Sequence, residues 1–208
     1  MSRFNLDKIC KNTLEIKKSQ FITWLIPISA SQGDQQKHKQ EVKDYIQQAK
    51  NEYPDARHHC WAYIMGANPN SMTAAMSDDG EPSGTAGKPM LNVLQHKPVD
   101  NILAIVIRYF GGVKLGAGGL VRAYSQAVEQ CFSLAELVPV IPKSTLTVQI
   151  PFSDEQWLRH HLDKNQGEVL NTEYSDLVTV EIILPQINFI TIKEALDSRS
   201  FIYKIADD

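Results

Sequence analysis

Eight residues, Ile102-Leu103-Ala104-Ile105-Val106-Ile107-Arg108-Tyr109, constrain this chain most. The run is almost wholly apolar and does not alternate. Such a segment cannot lie on a sheet with one wet face. It predicts a central strand covered by a layer of structure on each side. The chain then passes through Phe110-Gly111-Gly112-Val113-Lys114-Leu115-Gly116-Ala117-Gly118-Gly119 into a helical pattern, with Leu120, Tyr124, Ala127, Val128 and Cys131 on one face. A buried strand, a glycine-rich turn and a helix opening at Gly118 or Gly119 and running to about Ala135 are therefore expected in succession.

The apolar stretch Ile102 to Ile107 is too short to span a bilayer. The start, Met1-Ser2-Arg3-Phe4-Asn5, has no apolar core of the kind a secretory signal needs. The three cysteines, Cys10, Cys60 and Cys131, are scattered and form no C-x-x-C pair. A disulfide framework is not expected, and a reducing cytoplasmic setting is.

The rest of the first half reads as a hairpin from Thr13–Lys18 and Phe21–Ile28, then an amphipathic helix over Gln35–Lys50 with Val42, Tyr45, Ile46 and Ala49 as its apolar stripe. A strand over His59–Met65, a loop over Asn70–Pro89 and a short helix over Met90–Gln95 follow. Pro139-Val140-Ile141-Pro142 ends the helical region and favours an extended connector. This places one domain at 1–138 and a second at 143–208.

In the second half, Thr145–Ile150 alternates as a strand. Ser153 with Gln156 reads as a capping box opening a helix whose inner face carries Trp157, Leu158, His161 and Leu162. Gly167 stops that helix. Glu168–Tyr174 and Leu177–Leu184 form a strand pair. A helix over Phe189–Asp197 and a strand over Phe201–Ile205 complete a βαββαβ order, the split-βαβ or ferredoxin-like pattern. The expected fold class is α+β.

The net charge of −3 argues against a strongly basic nucleic-acid binder. Its distribution is uneven. Met1 to Ala135 carries 15 Lys and Arg against 12 Asp and Glu, a balance of +3; Glu136 to Asp208 carries 6 against 12, or −6. The first half is the better place to seek an anionic partner.

Two segments are not accounted for by packing. In the glycine-rich turn, Gly111, Gly112, Gly116, Gly118 and Gly119 allow close approach to the backbone, and a helix N-terminus follows. With Arg108, Lys114 and Arg122 this suits a phosphate-type anion; Lys88 and His59 are further candidates. It matches neither a P-loop nor a dinucleotide fingerprint, and no cofactor motif appears. The alternative is a tight turn needing glycine for helix–sheet packing. The other segment, Ser77 to Pro89, holds the carboxylates Asp78, Asp79 and Glu81. They could hold Mg²⁺ or do acid–base work; equally, they could cap turns. His58-His59-Cys60 lacks a second ligand pair at zinc spacing, so no metal site is assigned. No nucleophile signature is found.

The segments Lys18-Ser19-Gln20-Phe21, His59-Cys60-Trp61-Ala62-Tyr63, Asp79 to Pro89, Arg108 to Gly116 and Gly118 to Tyr124 resemble those of the Impact family, in its bacterial YigZ-type form. The resemblance covers roughly the whole chain. It implies a main domain folded like the second domain of ribosomal protein S5, with a left-handed βαβ arrangement. It also implies a C-terminal domain like the last domain of elongation factor G. It further implies a role in translation regulation. The eukaryotic members work largely through an extra RWD-type domain, which this chain is expected to lack, so that partner activity is not carried over.

Two functional readings follow. In the first, a non-enzymatic protein binds RNA, the ribosome or another polyanion through the glycine-rich turn, with Tyr109 or Phe110 as a stacking surface. In the second, an enzyme acts on a phosphorylated small molecule, with Asp79 and Glu81 as the working carboxylates and Asp78 beside them. A protein-interaction scaffold with purely structural glycines is a third possibility. No membrane partner is expected, and protein partners are not defined.

Overall fold

The computed structural model describes residues 3–28, 35–66 and 72–205. The chain is α+β and divides into two compact units, Met1–Val140 and Ile141–Asp208. Among the described residues no helix is long and apolar enough to cross a membrane.

Unit 1 contains β1 (Phe4–Leu6), β2 (Cys10–Ile16), β3 (Ser19–Pro27), α1 (Gln35–Glu52), β4 (His58–Met65), β5 (Thr73–Ser77), α2 (Gly87–Gln95), β6 (Ile102–Tyr109), α3 (Ala117–Leu134) and β7 (Leu137–Pro139). Five strands form an antiparallel sheet in the order β2-β3-β6-β4-β5. The apolar run is β6, and it takes the central place. Its period-2 geometry sends Ile102, Ala104 and Val106 to one face, with Phe21, Leu25, Cys60 and Ala62, under Met90 and Leu94 of α2 and Leu120, Tyr124 and Val128 of α3. Leu103, Ile105 and Ile107 go to the other face, with Trp24 and Ile26, under Val42 and Ala49 of α1. Each apolar side chain buried this way contributes about 1.5–3 kcal/mol. β1 and β7 pair with each other in a separate two-stranded ribbon.

The stretch read as a loop over Asn70–Pro89 differs in part. Residues 70–71 lie outside the described residues. Thr73–Ser77 is an edge strand on β4, and α2 begins at Gly87, three residues before the expected Met90. The short segment Thr73-Ala74-Ala75-Met76-Ser77 makes a strand here because β4 supplies its hydrogen bonds on one side, overriding the weak strand preference of its two alanines.

Unit 2 contains β8 (Lys143–Ile150), α4 (Glu155–Lys164), β9 (Glu168–Tyr174), β10 (Val178–Pro185), α5 (Phe189–Ser198) and β11 (Ile202–Ile205). The sheet order is β11-β8-β10-β9, with every neighbouring pair antiparallel. This is the split-βαβ arrangement expected from the element order. Leu146, Val148, Ile150, Val178, Val180, Ile182 and Leu184 pack against Leu158, Leu162, Ile192 and Leu196. The capping box does not form. Phe152–Asp154 is a turn of 3₁₀ helix, α4 starts after it, and the Ser153 hydroxyl bonds Asp154 instead of a helix amide.

Candidate functional site

Antiparallel pairing gathers the unexplained segments at one end of the unit 1 sheet. β6 ends there at Tyr109, opposite Gln20, so the β2–β3 turn at Lys17-Lys18 lies beside the glycine-rich turn. β4 starts there at His58, opposite Arg108. β5 ends there at Ser77, opposite Trp61, and delivers the carboxylate loop. The N-termini of α2 and α3 lie at the same end.

The three carboxylates of that loop are committed to the protein itself. Asp78 Oδ1 accepts hydrogen bonds from the amides of Ala86 (3.0 Å) and Gly87 (2.8 Å), and Oδ2 accepts one from Gly84 (2.8 Å). It therefore closes the N-terminus of α2 with a negative charge. Asp79 Oδ2 accepts the His59 amide at 2.6 Å, and its Oδ1 lies 3.6 Å from Lys50 Nζ. Glu81 is buried, 8% exposed, and its Oε1 accepts from Arg108 Nη1 at 2.6 Å and from the Tyr124 hydroxyl at 2.8 Å. Arg108, 6% exposed, thus points into the α2/α3 side of the sheet, where Glu81 neutralises it. Cys60 completes this network, with its thiol 3.0 Å from the Asp78 carbonyl and 3.3 Å from the Tyr124 hydroxyl.

Burial dominates the electrostatics. It pushes the Cys60 thiol up to about 12, so Cys60 remains a protonated donor at neutral pH rather than a nucleophile. It also raises the Tyr124 phenol. Burial alone would raise Asp78, but the three amide bonds outweigh it and the carboxyl sits below its usual 3.8. Burial lowers His59 below 6.5, against a smaller opposing pull from Asp79. His59 lies on the α1 face of the sheet, opposite to Arg108, so the structure does not bring these two candidates together.

These shifts give a pH expectation. Between pH 6.5 and the lower folded value of His59, the unfolded chain takes a proton that the folded chain refuses, so stability falls as the pH drops through that window. Asp78 is likewise favoured deprotonated in the folded state, which for a carboxyl is the charged form. Its stabilisation is present above pH 3.8 and is lost as the pH falls through the depressed folded value. Thermal unfolding from pH 7 to pH 3 should show both declines. Asp78→Asn, which turns an NH₂ toward one of the three amides, should cost about 1–3 kcal/mol at pH 7 and lack the decline below pH 3.8.

The basic side chains differ. Lys17, Lys18, Lys88, Lys114 and Arg122 are exposed. Among the described residues none of them takes an ion-pair partner. α3 opens at Gly116, φ +73°, with no side-chain cap and no acidic residue in its first turn. Its first helical bond runs from the Leu120 amide to the Gly116 carbonyl, leaving the amides of Ala117, Gly118 and Gly119 at the open end. Phe110 is 51% exposed beside this turn, whereas Tyr109 packs into the α1-side core. Gly111 is fixed by close approach: its amide donates to the Ser19 hydroxyl (3.1 Å), and a β-carbon there would lie 2.0 Å from the Lys18 carbonyl carbon. Gly112, φ +84°, meets nothing and is needed for its backbone conformation.

Ser19, Lys17 and Tyr124 were not singled out as site residues from the sequence. The available signal was Lys18-Ser19-Gln20-Phe21, a segment with no catalytic chemistry of its own. Among the described residues no group of three or more His, Cys, Asp or Glu is placed to hold a metal ion.

This geometry defines a two-unit α+β protein whose first unit gathers glycine turns and unpaired cations at one sheet end. Residues 17–132 match the family model of the Impact N-terminal domain, and residues 148–200 match a domain of unknown function, DUF1949. The chain belongs to the Impact family. It is 38% identical over 171 residues to the IMPACT family member YigZ of Escherichia coli strain K12, covering 82% of this chain and 80% of that relative. It is 36% identical over 183 residues to the IMPACT family member YvyE of Bacillus subtilis strain 168, covering 86% and 78%. The crystal structure of a protein described only as hypothetical superposes with a TM-score of 0.79 at 34% identity, covering 100% of this chain and 98% of that one.

Proposed function

We propose that this chain is a non-enzymatic, cytoplasmic RNA-binding protein with a role in translation regulation, and that it contacts RNA of the ribosome or a free strand. One observation carries the reading. At this sheet end the carboxylates Asp78, Asp79 and Glu81 are spent on internal partners, while Lys88, Lys114 and Arg122 stay exposed and unpaired. The surface presented there is cationic although the chain as a whole is not.

The roles divide by chemistry. Lys88, Lys114 and Arg122 contact phosphates, and the open amides of α3 add backbone donors. The exposed Phe110 ring offers a base a stacking surface without reading sequence. Arg108 acts indirectly, by holding Glu81. The same internal commitments weigh against an enzyme that would use Asp79 and Glu81, since substrate or cation would have to compete with the buried Arg108 pair at Glu81 and with the His59 amide and Lys50 at Asp79.

The test is a titration of the protein with a short single-stranded RNA at several salt concentrations. Three phosphate contacts predict that the logarithm of affinity falls with the logarithm of salt with a slope of about −2 or steeper. Affinity that does not change with salt would overturn the reading.

A further inference from the structure

The β2–β3 turn is built from residues that do not suit it. Ile16 pairs with Ser19, leaving two residues at the tip, Lys17 at φ +48° and Lys18 at φ +63°. Two central residues with positive φ define a type I′ hairpin turn, for which Asn-Gly is the low-cost sequence. This conformation is disfavoured for any residue with a β-carbon, and least so for Asn and Asp. The chain nevertheless places two lysines there. Both are exposed and, among the described residues, neither is held by a carboxylate, so no local ion pair compensates the strain.

The turn is also fixed in position. Ser19, fully buried, accepts the Gly111 amide, and the Lys18 backbone lies directly on Gly111, where no β-carbon fits. The backbone of the hairpin tip is thereby seated against Gly111, the residue between Phe110 and Gly112 in the glycine-rich turn. A hairpin tip that merely joined two strands would need neither the cations nor this seat.

We infer that Lys17 and Lys18 are phosphate contacts of the RNA-binding surface, and that the strained turn is the means by which β2 and β3 deliver them beside Phe110. This rests on the RNA-binding reading above. It adds the β2–β3 hairpin to that surface, beside the contributions of α2, the glycine-rich turn and α3.

The test replaces the tip by the sequence its geometry favours, Lys17→Asn/Lys18→Gly. Stability and binding should move in opposite directions. Thermal unfolding should shift up by about 2–4 °C as the strain is relieved. Affinity for a short single-stranded RNA should fall, with a salt slope shallower by about 1.4, the loss of two contacts. Lys17→Arg/Lys18→Arg, which keeps the charges, should retain the wild-type slope. A stabilised Asn-Gly variant that binds with wild-type affinity and slope would overturn the inference while leaving the RNA-binding reading intact. A fall in stability would overturn the assignment of strain to the lysines. Wild-type protein that fails to bind RNA would overturn the reading on which the inference rests, and the inference with it.

Discussion

Glu81→Ala should destabilise unit 1 by about 3–5 kcal/mol, the cost of leaving a buried charge without its partner. Arg108 is held on the inner side of the sheet, and its Nε already lacks a hydrogen-bond partner. Removing Glu81 takes the counter-ion from Nη1 and the acceptor from the Tyr124 hydroxyl together. Arg108→Ala should cost a similar amount, because it strands the carboxylate. A double substitution to apolar residues of similar volume, Glu81→Leu/Arg108→Met, should recover much of the loss, since the pair offsets mainly its own desolvation. Urea unfolding of the three variants measures this. A Glu81→Ala cost under about 1 kcal/mol would show that the pair is solvated and not the internal tie described above.

Gly111→Ala should have an effect of comparable size for a steric reason. The added β-carbon would sit 2.0 Å from the Lys18 carbonyl carbon and 2.3 Å from the Ser19 amide nitrogen. Both are backbone atoms, so no side-chain rotation relieves the clash. The turn or the end of β6 must move, and a cost of about 3 kcal/mol or more is expected. Gly112→Ala is the control. It stands at φ +84° in open space and should cost only about 1–2 kcal/mol of backbone strain. Thermal unfolding should rank the variants in that order. Equal losses at the two positions would mean that close approach to Lys18 is not what Gly111 provides.

The parts of the fold with dense local signals were legible. The non-alternating run of β6 announced a strand covered on both faces, and the 3.6 period of Leu120, Tyr124, Ala127, Val128 and Cys131 gave the buried face of α3. The alternating strands of unit 2 gave its element order. What escaped was what depends on distant partners. β1 has three residues, and its partner β7 lies some 130 positions later, so no local pattern reveals either. β5 is an edge strand that takes its bonds from β4 alone.

The candidate site follows the same logic. Its residue types were readable, but their directions were not. Arg108 reads as a phosphate contact until Glu81, 27 positions away, is brought onto it by the loop after β5. Asp78 reads equally as a metal ligand, an acid–base group or a turn cap until three amides of one turn converge on it. The β2–β3 turn was hidden because Lys-Lys replaces the usual turn residues, and Lys18 read as the end of a strand.

The measurement that tests the central claim most directly compares Lys114→Ala/Arg122→Ala with Lys39→Ala/Lys43→Ala in the RNA titration across salt concentrations. Both change net charge equally. Lys39 and Lys43 lie toward the start of α1, whose other end, at Lys50, reaches the site through Asp79; at 1.5 Å per residue Lys39 stands about 16 Å from Lys50 along the helix. The account predicts a salt slope shallower by about 1.4 in the first variant and unchanged in the second. Equal losses in both would show that RNA senses only overall charge, and would contradict a site at the glycine-rich turn.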